Sequence, residues 1–338
     1  MVNPILIIPI ILSFLIVLFM MPHWIRRSKE VGLFGKDINK NSEEKVSESG
    51  GICVIAGFIL GVLVYIAIKT FYFKTSENII QIFSLLCTVL IVGFIGMIDD
   101  VFGWKIGLSK KARLFWVLIA AIPLIVINAG DSSIAIPFLN KINLIWIYPL
   151  IIIPLGVIGA STTFNFLAGY NGLEAGMGIL IIGALSVIAW LTGNSWLTLI
   201  GLCMVASLIS FLIFNKYPAK VFPGDVLTYT VGALIAVMAI LGNFEKFALF
   251  IFIPYFMEII LKIRGKLKKE SFALPKEDGS IDLRYEKFYG IEHIALYLIK
   301  KIKPSKKVYE YEVVFGIWAF ELVIILIGFF IYANHLFF

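Results

Sequence analysis

Residues 160–176 read Ala-Ser-Thr-Thr-Phe-Asn-Phe-Leu-Ala-Gly-Tyr-Asn-Gly-Leu-Glu-Ala-Gly and set two amides and a carboxylate, Asn165, Asn171 and Glu174, between two apolar runs. An unpaired polar group at membrane depth costs several kcal/mol, so a stretch that keeps such groups normally keeps them for function. Asn165 and Asn171 are six residues apart, about one and two-thirds helical turns, and need not share a face. Gly169, Gly172 and Gly176 predict a helix break at which backbone approaches a ligand. A polar loop joining two spans is the plainer alternative.

Asp99-Asp100 closes another apolar run. Adjacent acids there can simply end a helix, or can serve Mg²⁺, a hard cation held by one or two carboxylates together with substrate phosphates. Lys110, Lys111 and Arg113 follow and can neutralise phosphate or merely flank a span. In Phe222-Pro223-Gly224-Asp225 the Pro-Gly pair makes a turn. Asp225 then falls near a helix N-terminus, where a carboxylate is favoured. Lys36, Asp37, Asn39 and Lys40, followed by Glu48-Ser49-Gly50-Gly51, read as a solvated charged loop ending in a glycine pair. Carboxylates, amides and lysines around one cleft are the set that phosphoryl transfer needs, since that chemistry rests on positioning and charge neutralisation with a metal.

The elements that must bring these residues together are membrane helices. The chain is 60% hydrophobic and 15% charged, with a mean hydropathy of +0.97, whereas soluble domains are about one-quarter charged. Windows of about 20 apolar residues mark ten candidate spans: 3–22, 51–70, 78–98, 112–129, 143–160, 177–192, 196–214, 227–242, 246–263 and 313–333. The first has no basic stretch before it and no small-residue cleavage site after it, so it reads as a retained span. Cys53, Cys87 and Cys203 lie within apolar runs, and His23, His293 and His335 form no zinc motif.

All but four of the 29 basic residues fall on alternate loops, the exceptions being Lys69, Lys74, Lys141 and Lys246. By the positive-inside rule both termini lie outside and the basic loops are cytoplasmic, which puts loop 160–176 and the acid pairs on the cytoplasmic side. The expected fold is thus all-α and polytopic: about ten transmembrane helices, a single integral membrane domain over residues 1–338, and an active-site face in the cytoplasm. The net charge of +7 is a topology signal and suits anionic lipid headgroups. No basic domain with interleaved aromatics points to nucleic acid. Segment 262–312 is the one sizeable cytoplasmic loop, read either as a solvated topology anchor or as a platform whose Ile291–Lys303 stretch forms an interfacial amphipathic helix.

Glu48-Ser-Gly-Gly, Asp99-Asp100, Asn165-Phe-Leu-Ala-Gly-Tyr-Asn-Gly-Leu-Glu-Ala-Gly and Phe222-Pro-Gly-Asp together resemble the polyprenyl-phosphate N-acetylhexosamine-1-phosphate transferases. The resemblance runs over nearly the whole chain, and the Asn-Gly-Leu-Glu-Ala-Gly form is similar to the archaeal and eukaryotic branch acting on dolichyl phosphate. It implies transfer of GlcNAc-1-phosphate from UDP-GlcNAc to dolichyl phosphate, the first membrane step of N-glycan lipid-carrier assembly, with UMP released. A different polyprenyl phosphate or UDP-HexNAc is the alternative within the family. It implies Mg²⁺, with Mn²⁺ as a substitute, held by Asn165 and Asp225. Asp99 and Asp100 are implied near the acceptor phosphate, Lys111 at the diphosphate with Arg113 in reserve, and Asn171 and Phe222 at uridine. Glu48 joins the substrate site.

The family's sugar-binding cluster in the last cytoplasmic loop is Arg-His-Arg or a run of histidines. Here only Lys266, Lys268, Lys269 and His293 are offered, so Lys268, Lys269 and His293 are the candidates. The short chain favours an archaeal cell membrane over endoplasmic reticulum, and homodimerisation is left open. A lipid flippase or solute transporter is the rival from another class; it calls for inverted repeats and mid-bilayer polar sites. No self-similarity between the halves is evident, and the polar residues crowd the cytoplasmic ends.

Overall fold

Helix α9 (Gly224–Gly242) is the axis of the molecule, buried along nearly its whole length. In the computed structural model, which describes residues 3–41, 44–106, 110–135 and 141–333, it is the most enclosed of seven helices long and apolar enough to cross a membrane. The others are α1 (Ile7–Glu30), α2 (Gly51–Ala67, continued to Tyr72), α3 (Ile79–Ile106), α7 (Leu173–Leu191), α8 (Ser195–Asn215) and α13 (Glu310–Ala333). Small residues let backbones meet around α9. A Cβ on Gly96 of α3 would lie 2.6 Å from the Asp225 carbonyl oxygen, and one on Gly232 would lie 2.5 Å from the Ala160 carbonyl oxygen.

The other three expected spans hold shorter helices. α4 (Lys110–Ala120) gives way to α5 (Ile122–Val126), a π-turn at Tyr148–Ile152 runs into α6 (Ile153–Phe164), and α10 (Glu245–Ile251) is parted from α11 (Ile253–Arg264). Proline marks each interruption: Pro123, Pro149, Pro154 and Pro254 sit in the first turn of the piece that follows. Proline lacks the N–H that a continuing helix needs but is at home at its start. Hydropathy averaging does not register that constraint.

Segment 262–312 is structured. A two-stranded hairpin, Leu274–Pro275 with Ile281–Asp282, precedes α12 (Ile291–Ile302). Asp282 pairs with Lys276 at 2.7 Å and Lys300 at 2.5 Å, and Asp278 pairs with Lys307 at 2.8 Å. Its lysines are therefore in part internal ties of the hairpin to α12, and the solvated-anchor reading gives way. Ile291 and Leu296 face inward, while Tyr297, Leu298 and Ile302 are exposed.

Candidate active site

The polar end of the bundle collects the starts of α2, α7, α9 and α13 and the ends of α1, α3, α6 and α8. Segment 47–51 runs beside 220–223: the Phe222 N–H donates to the Ser47 carbonyl (2.7 Å), Gly50 N–H to Phe222 (2.9 Å) and Gly51 N–H to Pro223 (3.0 Å). Glu48 and Phe222 thereby face one cleft. The Trp24 indole N–H holds the Glu48 carbonyl at 2.9 Å, which ties this segment to α1.

α6 stops at Phe164 and α7 starts at Leu173. The intervening turn uses left-handed backbone at Gly169 (φ +106°) and Gly172 (φ +88°), a conformation that glycine adopts without a Cβ penalty. The expected helix break is present, and Asn165 is the C-cap of α6. Thr228, one turn along α9 from Asp225, donates its hydroxyl to Asn165 Oδ1 at 3.0 Å. Two oxygen-bearing side chains, Asn165 and Asp225, thus come from facing helix ends. Asp100 Oδ1 and Oδ2 accept the N–H groups of Asp225 (2.7 Å) and Val226 (3.2 Å), satisfying two of the orphan donors at the start of α9.

Glu48, Asn165, Gly169, Asn171, Glu174, Phe222 and Asp225 line a cleft of about 380 Å³, together with Lys36, Asp37, Thr228 and Phe272. Burial, reinforced by the charge of Asp100, pushes the Glu48 carboxyl up to about 7. The donor set suits a hard cation: one carboxylate and one amide oxygen match the few protein groups that Mg²⁺ takes when phosphates complete its shell. Among the described residues no trio of His, Cys, Asp or Glu forms a site by itself.

The remaining expected residues lie elsewhere. Asp99 is buried and is not among the residues lining the cleft. Lys111 and Arg113 belong to α4, and their side chains are outside the described residues. Lys268 and Lys269 stand on the exposed turn after α11, with Lys269 Nζ 4.9 Å from the Tyr285 ring centre. His293 is 1% exposed, its Nδ1 accepts the Tyr289 N–H at 3.2 Å, and burial holds its pKa below the usual imidazole value. None of these three lines the cleft.

Loop 36–40, expected to be solvated, is built in instead: Asp37 is 4% and Asn39 3% exposed. Asn39 donates to the Gly169 carbonyl (3.0 Å) and accepts the Ala273 N–H (3.0 Å), so it pins the glycine turn to segment 262–312. Asp37 and Glu310 both take hydrogen bonds from Asn171. Sequence reasoning gave Asp37, Glu310 and Thr228 no role. An acid in the first turn of a span was the available signal for Glu310.

A family model described as glycosyl transferase family 4 matches residues 82–243. A Saccharolobus solfataricus protein provisionally named UDP-N-acetylglucosamine–dolichyl-phosphate N-acetylglucosaminephosphotransferase is 38% identical over 96% of this chain and 95% of its own length. A Sulfolobus acidocaldarius protein with the same provisional name is 33% identical over 94% and 93%. The phospho-N-acetylmuramoyl-pentapeptide-transferase of Halalkalibacterium halodurans is 31% identical over 79% and 86%. With this identity over nearly its full length, the chain belongs to glycosyl transferase family 4, among the polyprenyl-phosphate N-acetylhexosamine-1-phosphate transferases that its motifs resemble.

Proposed function

We propose that the protein transfers GlcNAc-1-phosphate from UDP-GlcNAc to dolichyl phosphate, giving GlcNAc-diphospho-dolichol and UMP. One observation carries this: Glu48, Asn165, Asn171, Phe222 and Asp225, from three distant stretches of chain, line a single cleft. The names of the archaeal relatives support the same donor and acceptor. The basic loops at that end of the bundle favour a cytoplasmic cleft, and the archaeal sources of those relatives favour a cell membrane.

The lipid phosphate oxygen attacks the β-phosphorus of the nucleotide sugar, a new P–O bond forms, and the bond to the bridging oxygen breaks with its electron pair leaving on UMP. The second pKa of a phosphate monoester is ~6, so the nucleophile is already ionised at neutral pH and no general base is required. Asn165 and Asp225 would hold Mg²⁺, which when bound neutralises diphosphate charge. The Phe222 ring offers a face for the uracil to stack on, and Lys36 at the rim of the cleft adds positive charge. Asp100 has both oxygens engaged by the start of α9, which suits positioning and disfavours an aspartyl-phosphate intermediate.

The test is purified protein with Mg²⁺, short dolichyl phosphate and a panel of UDP-sugars, reading UMP. UMP formation that requires both UDP-GlcNAc and the lipid is the expected result. UMP release without any lipid acceptor would point to a two-step route, and no UMP with any donor would overturn the reading.

A further inference from the structure

Two residues on one edge of α11 hold both ends of the stretch 271–291. Glu258 Oε2 accepts the Ile291 N–H at the start of α12 (2.7 Å). Lys262, one turn on, donates from Nζ to Ser271 Oγ (2.5 Å) and pairs with Glu258 Oε1 at 3.5 Å. From Ser271 the chain builds one wall of the cleft. The Ser271 carbonyl takes the Tyr170 hydroxyl (3.4 Å), Phe272 lines the cleft, and the Ala273 N–H donates to Asn39 Oδ1 (3.0 Å).

A second acid is packed into this joint. Glu292 is 0% exposed, and among the described residues neither of its oxygens has a hydrogen-bond partner on another residue. A Cβ on Gly290 would collide with Glu292 Oε2 and stand 2.7 Å from Ser271 Oγ and 3.2 Å from Glu258 Oε1. Those three oxygens therefore gather around space that only glycine leaves open. Ionisable groups face Glu292 from the elements around it: Glu258, Lys262 and Tyr255 on α11, Glu174 on α7 and Tyr170 in the glycine turn. From α13, Glu321 faces Tyr255. Lys262 is the one cation in that set, and Glu258 already holds it. A carboxylate enclosed without a donor or a counter-ion of its own is strongly disfavoured, and keeping its proton removes the charge. Burial, and then the charge of Glu258, accordingly hold the Glu292 carboxyl well above the usual range. The proton also supplies what the joint lacks, because Glu258 Oε1 has no hydrogen-bond donor among the described residues.

We propose that Glu292 is a proton latch: its neutral carboxyl donates to Glu258 Oε1 and seats segment 262–312 on α11, and loss of that proton to solvent frees the segment and the Phe272 wall. Ionised, Glu292 sets a second negative charge beside Glu258 with one lysine between them. A group that holds its proton more tightly in the docked state stabilises docking at low pH and loses that effect as pH rises. With one proton released, the docking equilibrium should weaken about tenfold per pH unit once the latch titrates.

The test is amide hydrogen exchange on the full-length protein without substrates from pH 6 to 9, with rates corrected for the intrinsic pH dependence of exchange. Protection over residues 271–302, the Ala273 amide included, should fall with that slope towards alkaline pH while protection along α9 holds. Glu292→Gln keeps a neutral donor at every pH, so its profile over 271–302 should be flat. Should that variant not fold, Glu292→Met, which also has no proton to lose, is held to the same flat profile. Wild-type protection that stays level across the range overturns the proposal, as does a variant that follows the wild-type slope. A fall shared equally by α9 does so too, because it reports loss of the whole fold. UMP formation in the assay above can succeed or fail without changing any of these outcomes.

Discussion

The Asp100 carboxylate caps the helix that carries Asp225: its two oxygens take the Asp225 and Val226 N–H groups at 2.7 and 3.2 Å. The acid near the end of α3 therefore governs where the acid at the start of α9 sits. Gly224, at φ +73°, makes the turn that lets Phe222 and Asp225 both reach the cleft.

Replacing Asp100 by Ala should damage activity more than stability. Loss of a cap typically costs ~1 kcal/mol, which thermal melting will register as a shift of a few degrees. A displacement of reacting groups by about 1 Å can cost on the order of 10²-fold in rate, and UMP release should fall by that much. Asp100→Asn retains one acceptor oxygen and should fall in between. Equal activity in all three proteins would separate Asp100 from the site.

Asp225→Ala should leave the fold intact and lower turnover on the order of 10²–10³-fold, as removal of one stabiliser of developing charge does. A Mg²⁺ titration of the residual activity is the more telling measurement. Its midpoint should move to higher ion concentration, because one of the two proposed protein ligands is gone. Near-normal turnover with an unchanged midpoint would end the metal assignment.

The glycine turn and the Asp225 helix start were legible in the sequence because each rests on local chemistry: positive-φ backbone at Gly169 and Gly172, and Pro-Gly before α9. The roles of Asp37 and Glu310 were not legible. Their partner Asn171 lies 134 residues from one and 139 from the other, and no spacing rule spans such distances. Loop 36–40 looked solvated because it is charged, yet its acid is satisfied internally, Asp37 by Lys40 and by the Asn171 amide. The breaks at Ala121 and Phe252 were hidden for another reason: proline changes helix continuity without lowering hydropathy much.

Glu48 should make the apoprotein less stable as pH rises. Its folded-state carboxyl titrates at about 7, raised from 4.5 by burial and then by Asp100. The folded state therefore holds a proton that the unfolded state has already released. Stability from this group is complete below pH 4.5, declines as pH rises, and is lost above pH 7. The full swing is at most about 3 kcal/mol. Glu48→Gln has no such proton to lose, so melting temperatures in EDTA between pH 5 and 8 should fall less steeply than for the wild type. Parallel curves would show that Glu48 is ionised throughout.

Two glycines with similar backbone separate strain from site geometry. Gly169 (φ +106°) and Gly193 (φ +83°) both lie where a side chain is strained, but a Cβ at Gly169 would come within 2.6 Å of the Phe272 ring, whereas one at Gly193 meets nothing within 4 Å. Left-handed backbone in a non-glycine residue costs about 1–3 kcal/mol, so both alanine variants should melt earlier. Only Gly169→Ala should also weaken UMP binding, by on the order of tenfold or more. Its clash falls on the cleft wall and on the turn whose carbonyl Asn39 holds at 3.0 Å. Gly193→Ala, at the turn between α7 and α8, should keep the wild-type UMP affinity. If the two variants lost affinity equally, the glycine turn at 165–172 would be no more than a connection between helices, and the cleft it lines would not be the nucleotide site.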